Sequence, residues 1–165
     1  HWVSRVVSRG ENPVGLGDWS YLEMQGSQQT KLLYITYYRV CQQRLEDAGE
    51  KTAYKQQYNI LQKHFPDRTF DPRKQSVINL HLFITKKQQD GYVVILTADG
   101  NENLSSNNGG WCPIAATDDH HVYQRDHDGS LLTLINSCGL VDILQYQHPG
   151  RTYPRTYIRG RHRID

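Results

Sequence analysis

The sequence predicts an α+β domain of the α/β-sandwich type, in which helices cover a mixed, mostly antiparallel sheet. Apolar patterns typical of strands, helices, a strand, a helix and strands follow one another along the chain. The length of 165 residues, of which 37% are hydrophobic, suits one domain with a modest core. We therefore expect residues 1–165 to belong to a single domain.

The first two predicted strands are neighbours in the chain. Residues 19–24 alternate between apolar and polar side chains, and residues 31–38 are rich in β-forming types. Between them, residues 26–29 have the composition of a turn. This order predicts an antiparallel pair.

Two helices are predicted next. In residues 52–65 the apolar positions recur at spacings of four, three and four, which places them on one helix face: Tyr54, Tyr58, Leu61 and Phe65. Asp71 precedes Pro72, a residue that suits the first helical position, so a second helix is expected to begin there and to end near Gln89. Four residues of this second segment have helical spacing: Val77, Leu80, His81 and Ile84.

Residues 92–96 are continuously apolar and β-branched, which predicts a central strand covered on both faces. Residues 102–129 are polar and lack periodicity, so we expect a long loop or insertion there. Ser130 and Gly139 have the residue types that begin and end helices, and they bracket a third helix. Residues 156–158 and 162–165 are predicted as a pair of strands.

The composition argues against a membrane protein and against a disulfide framework. No stretch approaches the roughly 20 apolar residues that a membrane span needs. Cys41, Cys112 and Cys138 are odd in number and widely spaced, which favours free thiols in a reducing compartment. We therefore expect a protein with no membrane partner that lies inside the cell, in the cytoplasm or the nucleus.

Asp99 and Asn101 form the strongest local signal for chemistry. They follow the predicted central strand, where a carboxylate and an amide can converge on a cleft. Phosphodiester hydrolysis uses a carboxylate to position water or metal, and an amide can hold a phosphate oxygen. Turn formation by Asp-Gly after a strand explains the same residues equally well, and the pattern leaves both interpretations open.

Seven segments, taken in order, resemble one known superfamily. They are Trp19–Tyr21, Leu33–Arg39, Thr52–Gln57, Asp71–Arg73, Val94–Asn101, Leu131–Asp142 and Pro154–Asp165. Each is short, but together they span nearly the whole chain. The superfamily is that of the endonuclease/exonuclease/phosphatase proteins, which have the DNase I-like fold, and the similarity is greatest to the endonuclease domains of non-LTR retrotransposons.

The resemblance implies a metal-dependent phosphodiester hydrolase, with Mg²⁺ or Mn²⁺ as cofactor and DNA as the expected partner. It implies that Asp99 orients or activates the nucleophilic water and that Asn101 contacts the phosphate. Tyr38 would donate to a phosphate oxygen, although Tyr37 competes for this assignment.

The resemblance also implies roles for two residues near the C-terminus. Thr156 would lie near the same phosphate, and Asp165 would orient a general-acid or general-base histidine.

The chain departs from the family pattern in ways that predict an incomplete site. Ala98 and Gly100 replace the family's glycine and phenylalanine beside the aspartate, and glycine loosens the loop. No residue before Trp19 matches the family's asparagine or its metal-binding glutamate, and the Ser-Asp-His motif would follow Asp165. We therefore expect an incomplete DNase I-like fold, an internal piece of a longer protein that is inactive by itself.

The C-terminal segment concentrates positive charge. Residues 151–165 hold five arginines against one aspartate, while the whole chain has a net charge of +2. Tyr153 and Tyr157 lie among them, as suits phosphate contacts combined with base stacking. Substrate contacts are expected from Arg155, Arg159 and Arg161. A solvated hairpin surface remains the alternative.

A stretch rich in aspartate and histidine, residues 118–128, raises the question of a metal site. Adjacent histidines in an extended loop point in opposite directions, and no helical i, i+4 spacing is available. A solvated loop is therefore the favoured interpretation, and the metal ligands stay unassigned.

Two further functional alternatives stay open at this point. A phosphatase or a sphingomyelinase-like enzyme of the same superfamily would use a similar site on a smaller phosphoester. A nucleic-acid-binding remnant without catalysis would keep the arginine segment and lose the site.

Overall fold

The computed structural model describes residues 5–41, 43–101 and 130–149. Within these ranges four strands form one sheet: β1 (Val6–Glu11), β2 (Trp19–Gln25), β3 (Lys31–Tyr38) and β4 (Tyr92–Asp99). Their order in the sheet is β1-β2-β3-β4, with antiparallel pairing between β1 and β2 and between β2 and β3, and parallel pairing between β3 and β4. The sheet is therefore mixed, and with its helices it confirms the predicted α+β class.

The predicted antiparallel pair is confirmed as the β2–β3 hairpin. Its register runs from Trp19 opposite Tyr37 to Gln25 opposite Lys31. The tight reversal includes two consecutive residues with positive φ, Gln28 at 55° and Gln29 at 62°.

The described helices are α1 (Ala53–His64), α2 (Pro72–Gln89), α3 (Leu131–Ser137) and α4 (Ile143–Gln147). Helices α1 and α2 lie in the connection between β3 and β4, because parallel strands need a long crossover. Three side chains cap helix N-termini by accepting backbone N–H groups: Thr52, Asp71 and Ser130. The caps at Asp71 and Ser130 were predicted.

The core lies between one face of the sheet and the helices α2 and α3. Leu33 and Ile35 of β3 are fully buried there, as are Leu80 and Ile84 of α2. Gly139 has a φ of 61°, and the amide of the following residue donates to the Ile135 carbonyl at 2.9 Å. This is a Schellman ending, which confirms the predicted end of the third helix.

The inward face of α1 differs from the prediction. Gln57 is buried, and its Nε2 donates to the Leu16 carbonyl at 3.1 Å. Phe65 is 42% exposed just beyond the helix. Apolar spacing alone missed a buried amide that finds a backbone partner through tertiary contact.

The prediction that β4 is a central strand covered on both faces is wrong for the described sheet. Strand β4 pairs there only with β3, and Val93 and Ile95 are 59% and 40% exposed. An apolar β-branched run indicates a strand but does not specify its neighbours. Val7 of β1 is also exposed on the sheet.

Strand β1 and helix α4 were not predicted. The predicted loop 102–129 and the predicted strands 156–158 and 162–165 lie outside the described residues. Of the two described cysteines, Cys41 is exposed, Cys138 is buried, and both are free thiols. Among the described helices, none combines the length and the apolar character that crossing a membrane requires.

Candidate functional site

Tyr38 and Asp99 lie side by side where β3 and β4 end. They are paired residues of the parallel ladder, so both side chains leave the sheet at one edge and on one face. They line a cleft of about 600 Å³, here called the strand-end cleft. Six of the residues that line it are Glu11, Asp18, Thr36, Tyr38, Thr97 and Asp99.

The structure places the two candidate tyrosines on opposite faces of the sheet. Tyr37 is 3% exposed in the core, its hydroxyl lies 3.1 Å from Ser76 Oγ, and burial raises its pKa to about 12. Tyr38 is 42% exposed and faces the strand-end cleft. Both residues border the cleft, but the Tyr37 hydroxyl is buried against Ser76, so the Tyr38 phenol is the more accessible of the two.

The Tyr38 phenol is held in its protonated form. Its pKa is raised, first by partial burial and then by the nearby Cys41 and Asp99, whose negative charge disfavours a phenolate. A phenol with a pKa above 10 is a hydrogen-bond donor at neutral pH. The geometry therefore offers a donor beside the carboxylate of Asp99.

Asp99 takes part in a turn and also lines the cleft. Its Oδ1 accepts the amide of Asn101 at 3.3 Å, and its backbone carbonyl accepts the Arg39 amide at 2.9 Å. The turn chemistry that the sequence allowed is therefore present. Asp99 still lines the strand-end cleft, opposite Tyr38 in the ladder.

Asn101 joins the two segments that follow β3 and β4. Its Nδ2 donates to the Arg39 carbonyl at 2.6 Å, and its Oδ1 accepts from Cys41 Sγ at 3.4 Å. Its φ of 43° is in the left-handed region, which asparagine tolerates better than most residues. A phosphate contact of the predicted kind would use the second hydrogen on Nδ2.

Asp18, which sequence reasoning missed, is a buried residue that also lines the strand-end cleft. The residue is 2% exposed, and its carboxylate accepts from Asn12 Nδ2 at 2.7 Å and from the hydroxyl of Ser76. Burial raises the pKa of this carboxyl group, while the bonds from Ser76 and Asn12 oppose the rise. Its backbone carbonyl accepts the amide of Tyr38 at 2.7 Å, so this network fixes the end of β3.

Arg73 is a second residue near the site that sequence reasoning missed. The sequence indicated only that a helix begins near it. It is 7% exposed in the first turn of α2. Its guanidinium donates to the Val40 carbonyl and, at 3.2 Å, to the Asn101 carbonyl. No local pattern signals these contacts, because they join segments far apart in the chain.

The described residues do not form a metal cage by themselves. Among them, no group of three histidine, cysteine, aspartate or glutamate side chains is placed to hold a metal ion. Both carboxylate oxygens of Asp18 already accept hydrogen bonds, so it is a support and not a spare ligand. Asp99 lies opposite Tyr38 in the parallel ladder, and one carboxylate needs further ligands to bind Mg²⁺.

The remaining predicted site residues lie outside the described ranges. They are Arg155, Thr156, Arg159, Arg161 and Asp165. The stretch 118–128 also lies outside them.

Comparison of the chain with protein families, with curated proteins and with solved structures finds no match.

Proposed function

We propose that the chain is part of a metal-dependent phosphodiester hydrolase, a DNA endonuclease-like domain of the DNase I-like fold. The observation that carries the proposal is the pairing of Tyr38 with Asp99 at the ends of parallel strands, open to one cleft. A neutral donor and a carboxylate held next to each other suit a phosphodiester and its attacking water.

In this proposal each group has a distinct task. The protonated phenol of Tyr38 donates to a non-bridging phosphate oxygen, and the carboxylate of Asp99 orients the water and accepts its proton. Asn101 fixes the turn that presents Asp99 and contributes one donor to the phosphate. A bound Mg²⁺ or Mn²⁺ would neutralise charge on the phosphate, with ligands beyond those described.

The same considerations predict that the chain alone does not hydrolyse DNA. The cleft carboxylates Glu11, Asp18 and Asp99 are not placed together to hold a metal ion, and in the described residues no histidine lines the strand-end cleft. The proposal therefore includes a longer gene product, in which residues outside this chain would complete the site.

Nicking of supercoiled plasmid by the longer gene product, with Mg²⁺ present, tests the proposal. Asp99→Asn is expected to lower the rate by roughly 10²–10⁴-fold, the usual cost of losing a general base. Asn101→Ala should cost less, because it removes one phosphate contact and not the group that orients water. Equal, small losses for both variants would show that the end of β4 is only a turn.

The same preparation distinguishes the competing activities. Hydrolysis of inositol phosphates or of sphingomyelin, without nicking, would point to the phosphatase or sphingomyelinase-like alternative. Binding of DNA without any cleavage would point to a nucleic-acid-binding remnant.

A further inference from the structure

Arg73 occupies a position that is unfavourable for its own charge. Arginine is seldom buried unless its guanidinium has partners, and this side chain is almost wholly covered. It also lies in the first turn of α2, where the helix dipole disfavours a cation. A buried cation at the positive end of a helix is retained only where its contacts offset this cost.

Two of its contacts are with backbone carbonyls on different segments. The Val40 carbonyl lies two residues beyond Tyr38, and the Asn101 carbonyl lies two residues beyond Asp99. The planar guanidinium presents its donors as a fixed fork, which lets one side chain span two acceptors. Lysine carries the same charge but lacks the planar arrangement of donors.

The same two segments are also joined directly. The Arg39 amide donates to the Asp99 carbonyl at 2.9 Å, and Asn101 Nδ2 donates to the Arg39 carbonyl at 2.6 Å. Arg73 holds both segments from the α2 side, and one of its two acceptors is the carbonyl of Asn101, whose φ of 43° is in the left-handed region.

We propose that Arg73 is a positioning residue: its guanidinium fixes the spacing between the Tyr38 phenol and the Asp99 carboxylate without touching substrate. The expected effect of Arg73 on hydrolysis rests on the proposed function. Its structural content, the clamping of the Val40 and Asn101 carbonyls by one fork, stands on the contacts alone.

Amide hydrogen exchange followed by NMR tests the structural content on the chain itself. In Arg73→Lys, protection of the Arg39 amide should fall about tenfold, the scale of one lost hydrogen bond to a charged group. The amides of Leu33 and Ile35, in the buried middle of β3, should keep their protection. Asp71→Ala is the matched control, because it weakens the same helix terminus and leaves the guanidinium in place.

An unchanged Arg39 amide in Arg73→Lys, or an equal fall in Asp71→Ala, overturns the proposal. The unmodified chain gives a second measurement that needs no variant to fold. Slow rotation of the Arg73 guanidinium, with resolved signals for its Nη protons, is expected, and free rotation would contradict the clamp.

Kinetics of the longer gene product test the catalytic consequence. Arg73→Lys should lower kcat about tenfold with KM nearly unchanged, since positioning acts on the reacting geometry. A rise in KM alone would assign Arg73 to substrate binding and overturn its positioning role. If the unmodified gene product hydrolyses nothing, the proposed function fails, while the exchange result still decides whether Arg73 clamps the two segments.

Discussion

Tyr38 and Asp99 are directly paired residues in the parallel ladder of β3 and β4. Tyr37, one position earlier, points to the opposite face and into the core. The choice between two adjacent tyrosines is therefore decided by strand alternation, because successive side chains alternate between the two faces of a sheet. A one-residue shift of β3 would exchange the core phenol for the cleft phenol.

Phenylalanine substitutions of the two tyrosines should have opposite effects. Tyr38→Phe should change the unfolding free energy by no more than about 0.5 kcal/mol, as expected for a partly exposed side chain, and should lower hydrolysis by the longer gene product. Tyr37→Phe should cost about 1 kcal/mol, because it removes the hydroxyl 3.1 Å from Ser76 Oγ, and should leave the cleft donor in place. Urea unfolding and plasmid nicking measure the two effects. Loss of activity in Tyr37→Phe with none in Tyr38→Phe would reverse the assignment.

The sequence predicts most of what depends on neighbouring residues. Strand β3, the caps Asp71 and Ser130 and the end of α3 at Gly139 follow from local patterns, because capping and turn chemistry act within a few residues. Tyr38 and Asp99 are each suggested as site residues by the resemblance, and their pairing in the ladder places them side by side.

Contacts between distant segments were not predictable in the same way. Asp18 meets Ser76 and Arg73 meets Val40 only after the chain folds, and no spacing rule links such positions. The same reason explains the error about β4, whose apolar run says nothing about which strands flank it.

Acid should destabilise the chain through Glu23. This carboxylate accepts from Lys87 Nζ and from the Tyr92 hydroxyl, both at 2.6 Å. Burial raises its pKa, but the hydrogen bonds from Lys87 and Tyr92 outweigh burial, so the pKa lies below 4.5 in the folded protein. Stability from this group is therefore fully present above pH 4.5 and is lost as the pH falls through the folded pKa.

Glu23→Gln should remove that acid-dependent component and cost about 1.5–3 kcal/mol at pH 7, the range for hydrogen bonds to charged groups. Glu50→Gln is the matched control. Glu50 pairs with Lys55 at 3.7 Å, but its side chain is 77% exposed, so the change should stay below about 0.5 kcal/mol. Urea midpoints from pH 3 to pH 7 give both values, and an equal cost for the two variants would contradict the distinction.

Asp18 should contribute a pH dependence of the opposite sign. Its folded pKa is raised above 3.8 by burial, so the folded state binds a proton more tightly than the unfolded state does. The contribution of this group to stability is therefore highest below pH 3.8 and decreases as the pH rises through the folded pKa. Asp18→Asn removes the titration and keeps an oxygen that can accept from Asn12.

The unfolding free energy of Asp18→Asn, relative to the unmodified chain, should therefore improve as the pH rises above 3.8. Chemical denaturation at matched pH values follows the difference, and Glu23→Gln serves as the comparison because its difference should run the other way. A pH-independent difference for Asp18→Asn would mean that the Asp18 carboxyl titrates alike in the folded and unfolded states.

The C-terminal arginines should bind DNA through phosphates even in the absence of hydrolysis. Five arginines face one aspartate in residues 151–165, and guanidinium groups suit phosphate oxygens. If about three of them each neutralise one phosphate, log K should fall with log salt at a slope of about −2.7, from roughly −0.9 per contact. Replacing Arg155, Arg159 and Arg161 with alanine should flatten this slope. Sequence preference should hardly change, because phosphate contacts do not read bases.

A second triple variant separates local contacts from net charge. Lys51, Lys63 and Arg68 are exposed in the described part of the chain, and replacing them with alanine removes the same total charge from a different surface. Fluorescence anisotropy of a labelled duplex over a salt series then compares the two variants with the unmodified chain. A local contact requires the slope to flatten only in the C-terminal variant, since counterion release counts the phosphates that are neutralised. Equal flattening of the slope in both variants would mean that net charge, and not a local contact, determines DNA binding. Undetectable binding at low salt would mean that the C-terminal arginines are solvated surface.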